Sequence, residues 1–136
     1  MKIAAVETIH VRLPFRHDGP PTGFGGKVWT TLDALLVKVE TDAGITGWGE
    51  AFGFNCIPAT RAAIETQIAP LAVGRDARDI AGIGRDLQKQ LHVFGRNGPV
   101  TFGLSGLDIA LWDIAGKAAG LPLHRLLGGG GRPELA

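Results

Sequence analysis

The stretch Ser105-Gly106-Leu107-Asp108-Ile109-Ala110-Leu111-Trp112-Asp113-Ile114-Ala115-Gly116-Lys117, running on to Gly120-Leu121-Pro122-Leu123-His124-Arg125-Leu126-Leu127-Gly128-Gly129, reads as one long helix whose exit is tied down at once. Its start is marked by Asn97-Gly98 with Pro99 in the first turn, and its end by Gly120 with Pro122 beyond as a stop. At ~1.5 Å per residue the helix spans ~30 Å, enough to cross a small domain. Leu104, Leu107, Leu111, Ile114 and Ala118 fall on one stripe and predict the core-facing side. A second stripe, Gly103, Gly106 and Ala110, is small. Each helical glycine costs up to ~1 kcal/mol relative to alanine, so close approach of another element is predicted to offset it.

Upstream of this helix the period is also 3.6. Pro58 is placed to start a first helix carrying Ile64, Ile68 and Leu71 on one side. A second begins near Asp76 or Asp79, either a plausible cap, and aligns Ile80, Ile83, Leu87 and Leu91. Before Phe52 the period is 2. The odd positions Ile3, Ala5, Ile9, Val11 and Leu13 predict a strand with one buried face, Glu7 being the exception, ended by Pro14. A second strand is predicted over 29–41, centred on Leu35, Val37 and Val39, and a third over 45–51. Thr41-Asp42-Ala43-Gly44 between them is a tight turn, with Asp at its first positions and Gly at its left-handed end. Residues 15–28 are rich in Gly and Pro and read as a long loop. Strands first and helices afterwards predict an α+β domain: a three-stranded antiparallel meander followed by a three-helix bundle.

The bulk properties narrow the partners. The 136 residues suit one domain, 45% apolar and 20% charged. A net charge of +1 gives no argument for nucleic acid or an anionic membrane. The longest apolar runs fall far short of the ~20 residues a membrane span takes, and Glu7, His10 and Arg12 interrupt any signal-peptide core. The lone Cys56 excludes an internal disulfide framework and fits a cytoplasmic protein.

No autonomous catalytic or metal site is predicted. His10, His17, His92 and His124 stand on four different elements without ligand spacing. The Gly128–Gly131 run lacks the Lys-Ser/Thr of a phosphate loop and reads as a flexible connector. Asp108 and Asp113 are five residues apart on a helix and cannot chelate one ion alone. Asp113 pairs with Lys117 at i, i+4, and Asp108 is expected to accept backbone donors near the sheet. Glu50, closing the third strand, is a lesser functional candidate.

The loops are better candidates. Strands one and three run the same way in a meander, so residues 15–28 and 52–57 leave the sheet at one end. Phe15, His17, Phe24, Phe52, Phe54 and Asn55 give them aromatic surface with a few polar groups, the composition of a ligand-facing lid. The competing reading folds these aromatics back onto the sheet.

The opening strand, the hairpin Val37-Lys38-Val39-Glu40-Thr41-Asp42-Ala43-Gly44-Ile45-Thr46-Gly47-Trp48-Gly49-Glu50-Ala51 and the terminal helix block together resemble the N-terminal capping domain of the mandelate racemase/muconate lactonizing branch of the enolase superfamily. The resemblance implies that 1–127 is the α+β cap and 128–136 a Gly-rich connector toward a TIM-barrel domain absent from this chain. It implies an enzyme whose barrel carboxylates hold Mg²⁺ while a base removes the proton α to a carboxylate. The parent would be a racemase or sugar-acid dehydratase; a cycloisomerase or dipeptide epimerase is the alternative, and a stand-alone binding module the competing class. A carboxylic-acid substrate, the barrel and further copies of the protein are the implied partners. The chain alone is expected to supply no metal ligand or catalytic residue. In such enzymes two cap loops close the barrel mouth and shape substrate choice, which maps onto 15–28 and 52–57. The small helix face and the Gly128 run are expected to serve packing and a pivot between the domains.

Overall fold

A computed structural model of the protein describes residues 1–16 and 28–129. His17, Phe24 and residues 130–136 of the expected connector therefore lie outside the described residues. The meander is formed as predicted: β1 (Ile3–Pro14), β2 (Thr31–Thr41) and β3 (Thr46–Ala51) make one antiparallel sheet in the order β1-β2-β3. Gly44 takes φ 77°, and the Thr41 hydroxyl accepts the Ile45 N–H at 3.1 Å, closing the β2–β3 turn. Helices follow. α1 (Ile57–Ala63) runs through a π-helical turn (Ile64–Ile68) into α2 (Ala69–Ala72), and then come α3 (Ile80–Gln90), α4 (Pro99–Ala119) and a short α5 (Leu123–Leu126).

Local chemistry explains each boundary. Pro70 has no N–H to offer the carbonyl four residues back, and the helix widens just before it, with Ala69 N–H donating to the Ile64 carbonyl instead. Of the two cap candidates for α3, Asp79 serves, accepting Gly82 N–H at 3.0 Å. Asp76 instead grips Arg78 with both carboxylate oxygens. Gly120 ends α4 in the left-handed region at φ 64°.

One alternation is overturned. An extra residue at Ala4 makes a β-bulge, after which Val6, Thr8 and His10, not Ile9, Val11 and Leu13, share a face with Val39, Val37 and Leu35. Ile9 and Leu13 are accordingly 39% and 49% exposed on the outer face, beside Leu32 and Trp48. The core lies between the inner face and the helices: Ile3, Leu35, Val37 and Val39 from the sheet, Ile64, Ile68, Ile83, Leu87, Leu107, Leu111 and Ile114 from the helices. Leu104, Leu71 and Ile80 are partly buried against it. Ala118, assigned to that stripe from the sequence, is exposed, because α4 by then extends past the sheet.

The small stripe of α4 receives β3. A methyl group added at Gly49 would overlap the Gly106 carbonyl oxygen, and one at Gly47 the Ala110 carbonyl oxygen. One at Gly106 would lie 2.7 Å from Val37 Cγ2 and 2.9 Å from Ala51 Cβ. Strand and helix backbones are therefore in direct contact. The free edge of β3 is covered from the same helix. Asp113 accepts the Trp48 N–H at 2.8 Å, and Lys117 Nζ donates to the Thr46 carbonyl at 2.8 Å and to Asp113 at 2.6 Å. Two of the edge strand's outward backbone groups are thereby satisfied.

Candidate functional site

The sheet ends unevenly. Pro14 of β1 is opposite Thr31, whereas β3 stops at Ala51, opposite Leu35. That leaves four residues of β2, about 14 Å of strand, beyond the last β3 pair. The loop over 52–56 crosses this step. It is pinned at both ends: the buried Thr60 hydroxyl donates to the Phe52 carbonyl at 3.3 Å, and Cys56 N–H donates to the Gly53 carbonyl at 2.9 Å. Asn55 holds φ 53°, the left-handed region that an L-residue adopts at a cost. Among the described residues it is the sole non-glycine with positive φ.

This turn splays its rings apart from its backbone. Phe54 stands edge-on to Trp29 with centroids 4.9 Å apart and planes at 72°. Phe52 lies 6.4 Å from Phe54 and 4.9 Å, at 68°, from Phe102 on α4. The four rings form a continuous aromatic chain from the foot of β2 to the first turn of α4, and Phe52 and Phe54 are 58% and 44% exposed. Of the six residues singled out from the sequence, Phe52, Phe54 and Asn55 thus come together in one exposed turn. Phe15 caps the β1–β2 ladder, its N–H donating to the Thr30 carbonyl at 2.9 Å, one residue from Trp29.

Sequence reasoning missed Trp29 and Phe102. Trp29 was read as the start of a strand, and Phe102 was one more apolar residue on an apolar helix; only the step in the sheet brings them together. It also missed a polar group on the inner face at the same end. Asp33 accepts from Arg12 Nε at 2.9 Å and from Thr31, and bonds His10 Nε2 at 2.7 Å. The Arg12 guanidinium, then His10, holds the Asp33 carboxyl below its ordinary range. The bulge produces this group, since it turns His10 and Arg12 inward.

Other candidates fall elsewhere. Glu50 is opposite Leu36 on the outer face, without a hydrogen-bond partner among the described residues. Asp108 does not serve the sheet; Asp113 does so instead. Asp108 faces a groove of about 920 Å³ between α3 and α4, lined by Ile83, Leu87, Leu91 and Leu104, and partial burial there pushes its carboxyl up. The small face of α4, expected to serve an interdomain contact, is consumed within the chain, by the sheet at Gly106 and Ala110 and by Ile64 and Ile68 at Gly103. Among the described residues no group of three or more His, Cys, Asp or Glu is placed to hold a metal ion. A donor set for Mg²⁺ is therefore not found among them. Among them, too, no helix is long and apolar enough to cross a membrane.

The fold is shared with known proteins. Residues 9–128 match the family description "Mandelate racemase / muconate lactonizing enzyme, N-terminal domain". The chain belongs to this family. An arabinonate dehydratase from Saccharolobus solfataricus is 37% identical over 101 residues, 74% of this chain and 27% of the relative. Among solved structures, an enolase-superfamily member from Polaromonas sp. JS666 superposes with TM-score 0.83 at 37% identity, covering 97% of this chain and 34% of the other. A mandelate racemase/muconate lactonizing protein from Paracoccus denitrificans PD1222, complexed with magnesium, gives TM-score 0.77 at 31% identity, with 96% and 31% covered. The chain thus spans about a quarter to a third of the length of these relatives and matches the N-terminal domain of the family.

Proposed function

We propose that this chain is the substrate-capping domain of a Mg²⁺-dependent racemase or sugar-acid dehydratase that abstracts the proton α to a carboxylate. Residues 1–127 form the cap, and 128–136 connect it to a barrel that holds the metal and the base. The observation that carries the reading is the division of labour in the chain. Every charged group on α4 that faces the sheet is spent on the β3 edge, while the exposed aromatic rings and the left-handed Asn55 gather at one end. An exposed aromatic surface with a few polar groups suits a small acid whose reacting carbon is handled elsewhere. The cap's part is to exclude water and complete the pocket, and Phe52, Phe54, Asn55, Phe15, His17 and Phe24 are the residues that would meet substrate. The dehydratase named above supports sugar acids as the class, and the magnesium complex supports the ion.

The test is a chimaera in which residues 1–127 replace the matching segment of the Saccharolobus arabinonate dehydratase. Mg²⁺-dependent turnover of a sugar acid is expected from the chimaera and none from the 136-residue chain by itself. A tight stoichiometric magnesium site on the isolated chain, measured by calorimetry, would place the chemistry here and overturn the proposal. So would a folded chimaera with no turnover of any acid the parent dehydrates.

A further inference from the structure

We infer that Trp29 is a positioning residue for the second loop: its indole, docked edge-on against Phe54, fixes residues 52–56 relative to the foot of the first loop. The functional meaning of this coupling rests on the capping role proposed above; the coupling itself does not.

Two observations carry it. First, the 52–56 turn cannot hold itself by backbone bonds alone. Within it, a single backbone hydrogen bond, Cys56 N–H to the Gly53 carbonyl, works against a left-handed Asn55. From outside, the Thr60 hydroxyl holds the Phe52 carbonyl and the Ala59 and Thr60 amides hold the Cys56 carbonyl, and two ring contacts hold the side chains. Phe52 against Phe102 fastens the turn to α4, and Phe54 against Trp29 fastens it to the β1–β2 stem. Second, these two anchors are not equivalent. Phe102 belongs to a 21-residue helix locked to β3, so it is a fixed post. Trp29 stands next to the Phe15–Thr30 pair that closes the stem from which the first loop springs. The Trp29–Phe54 contact therefore joins the bases of both loops, and whatever shifts one is felt by the other. Energetic coupling between two sites is reciprocal, so the effect must be visible in both directions.

Amide hydrogen exchange of the full 136-residue chain tests this without any ligand. In Trp29→Ala, exchange at the Cys56 amide is expected to rise about 2- to 12-fold, the factor equivalent to the ~0.5–1.5 kcal/mol of an edge-on aromatic pair. Val37 and Val39 in the central strand should keep their wild-type rates. Trp29→Phe, which retains an edge-on ring, should recover most of the protection. In the reverse direction, Phe54→Ala should accelerate exchange at the Phe15 amide, which donates to the Thr30 carbonyl. Wild-type exchange at Cys56 in Trp29→Ala, with acceleration only in Phe52→Ala, would show that Phe102 alone holds the turn and would overturn the inference. If Trp29→Ala loosens the whole sheet, Trp29→Leu, which keeps apolar bulk without a ring, decides: Cys56 rising while Val37 stays protected supports the coupling, and the two moving together refutes it. Because no substrate enters, loss of the capping role would leave this result standing, and the converse also holds.

Discussion

The two ends of β3 solve opposite problems with opposite residues. Along its length, Gly47 and Gly49 let the strand backbone touch the α4 backbone at Gly106 and Ala110, and Asp113 and Lys117 close its edge. Just past its last residue, Phe52 and Phe54 present large rings to solvent on a turn held by the Thr60 hydroxyl and by ring contacts. At Gly47 and Gly49 the nearest atoms are helix backbone carbonyls, so the seam tolerates almost no change there. The turn's rings are exposed and lie outside the core, so they can vary while the domain stays folded.

The comparison breaks most sharply at Gly49. Gly49→Ala puts a methyl into the Gly106 carbonyl, and backbone cannot rotate aside; a loss of ~3 kcal/mol or more in urea unfolding is expected, or failure to fold. A stable Gly49→Ala protein would show that strand and helix are not in backbone contact. Asp113→Ala leaves the Trp48 N–H without its acceptor and frees Lys117, and should cost ~1–3 kcal/mol by the same measurement. Gly84→Ala is the counterpart away from the seam. Nothing lies within 4 Å of its would-be methyl on α3, so a gain of up to ~1 kcal/mol is expected, visible as a raised Tm.

Acid sharpens the contrast further. Asp33 at the loop end, Glu65 beside Thr8 and Arg61, and Asp76 beside Arg78 all have carboxyls held below their ordinary ranges. The folded state then binds fewer protons than the unfolded chain near pH 4, so these groups contribute stability above that pH and lose it as pH falls. The urea midpoint should drop between pH 5 and pH 2, and Asp33→Asn should remove part of the drop. Asp108 has the opposite sign, because burial raises its carboxyl. Asp108→Asn should stabilise the chain slightly at pH 7, by under ~0.5 kcal/mol, and a clear destabilisation there would mean the carboxylate is paired.

Much of the seam was legible in the sequence and much of the loop end was not. Caps, prolines and turns are local signals, so Pro99, Asp79, Gly120 and the 41–44 turn gave the elements, and the small stripe on α4 announced a close neighbour. Its identity was not local. The stripe was assigned to an interdomain contact because nothing in the helix says that Gly47 and Gly49 lie opposite it. Nor does a bulge leave a mark in the pattern: Ala4 looks like any alanine, yet it reverses the inward face of β1 and creates the His10–Arg12–Asp33 group. The aromatic chain depends on β3 ending four residues short, which period-2 reading cannot resolve. Asp108 is the acid expected to accept backbone donors near the sheet, yet the β3 edge takes Asp113, already paired with Lys117.

The separation of seam from loop is tested most directly by placing Phe52→Ala and Phe54→Ala in the dehydratase chimaera and measuring kcat/KM over a panel of sugar acids beside the unfolding midpoint. A changed order of preference among the acids at an unchanged midpoint is the expected result. An unchanged order of preference, or losses that merely follow a lowered midpoint, would contradict it.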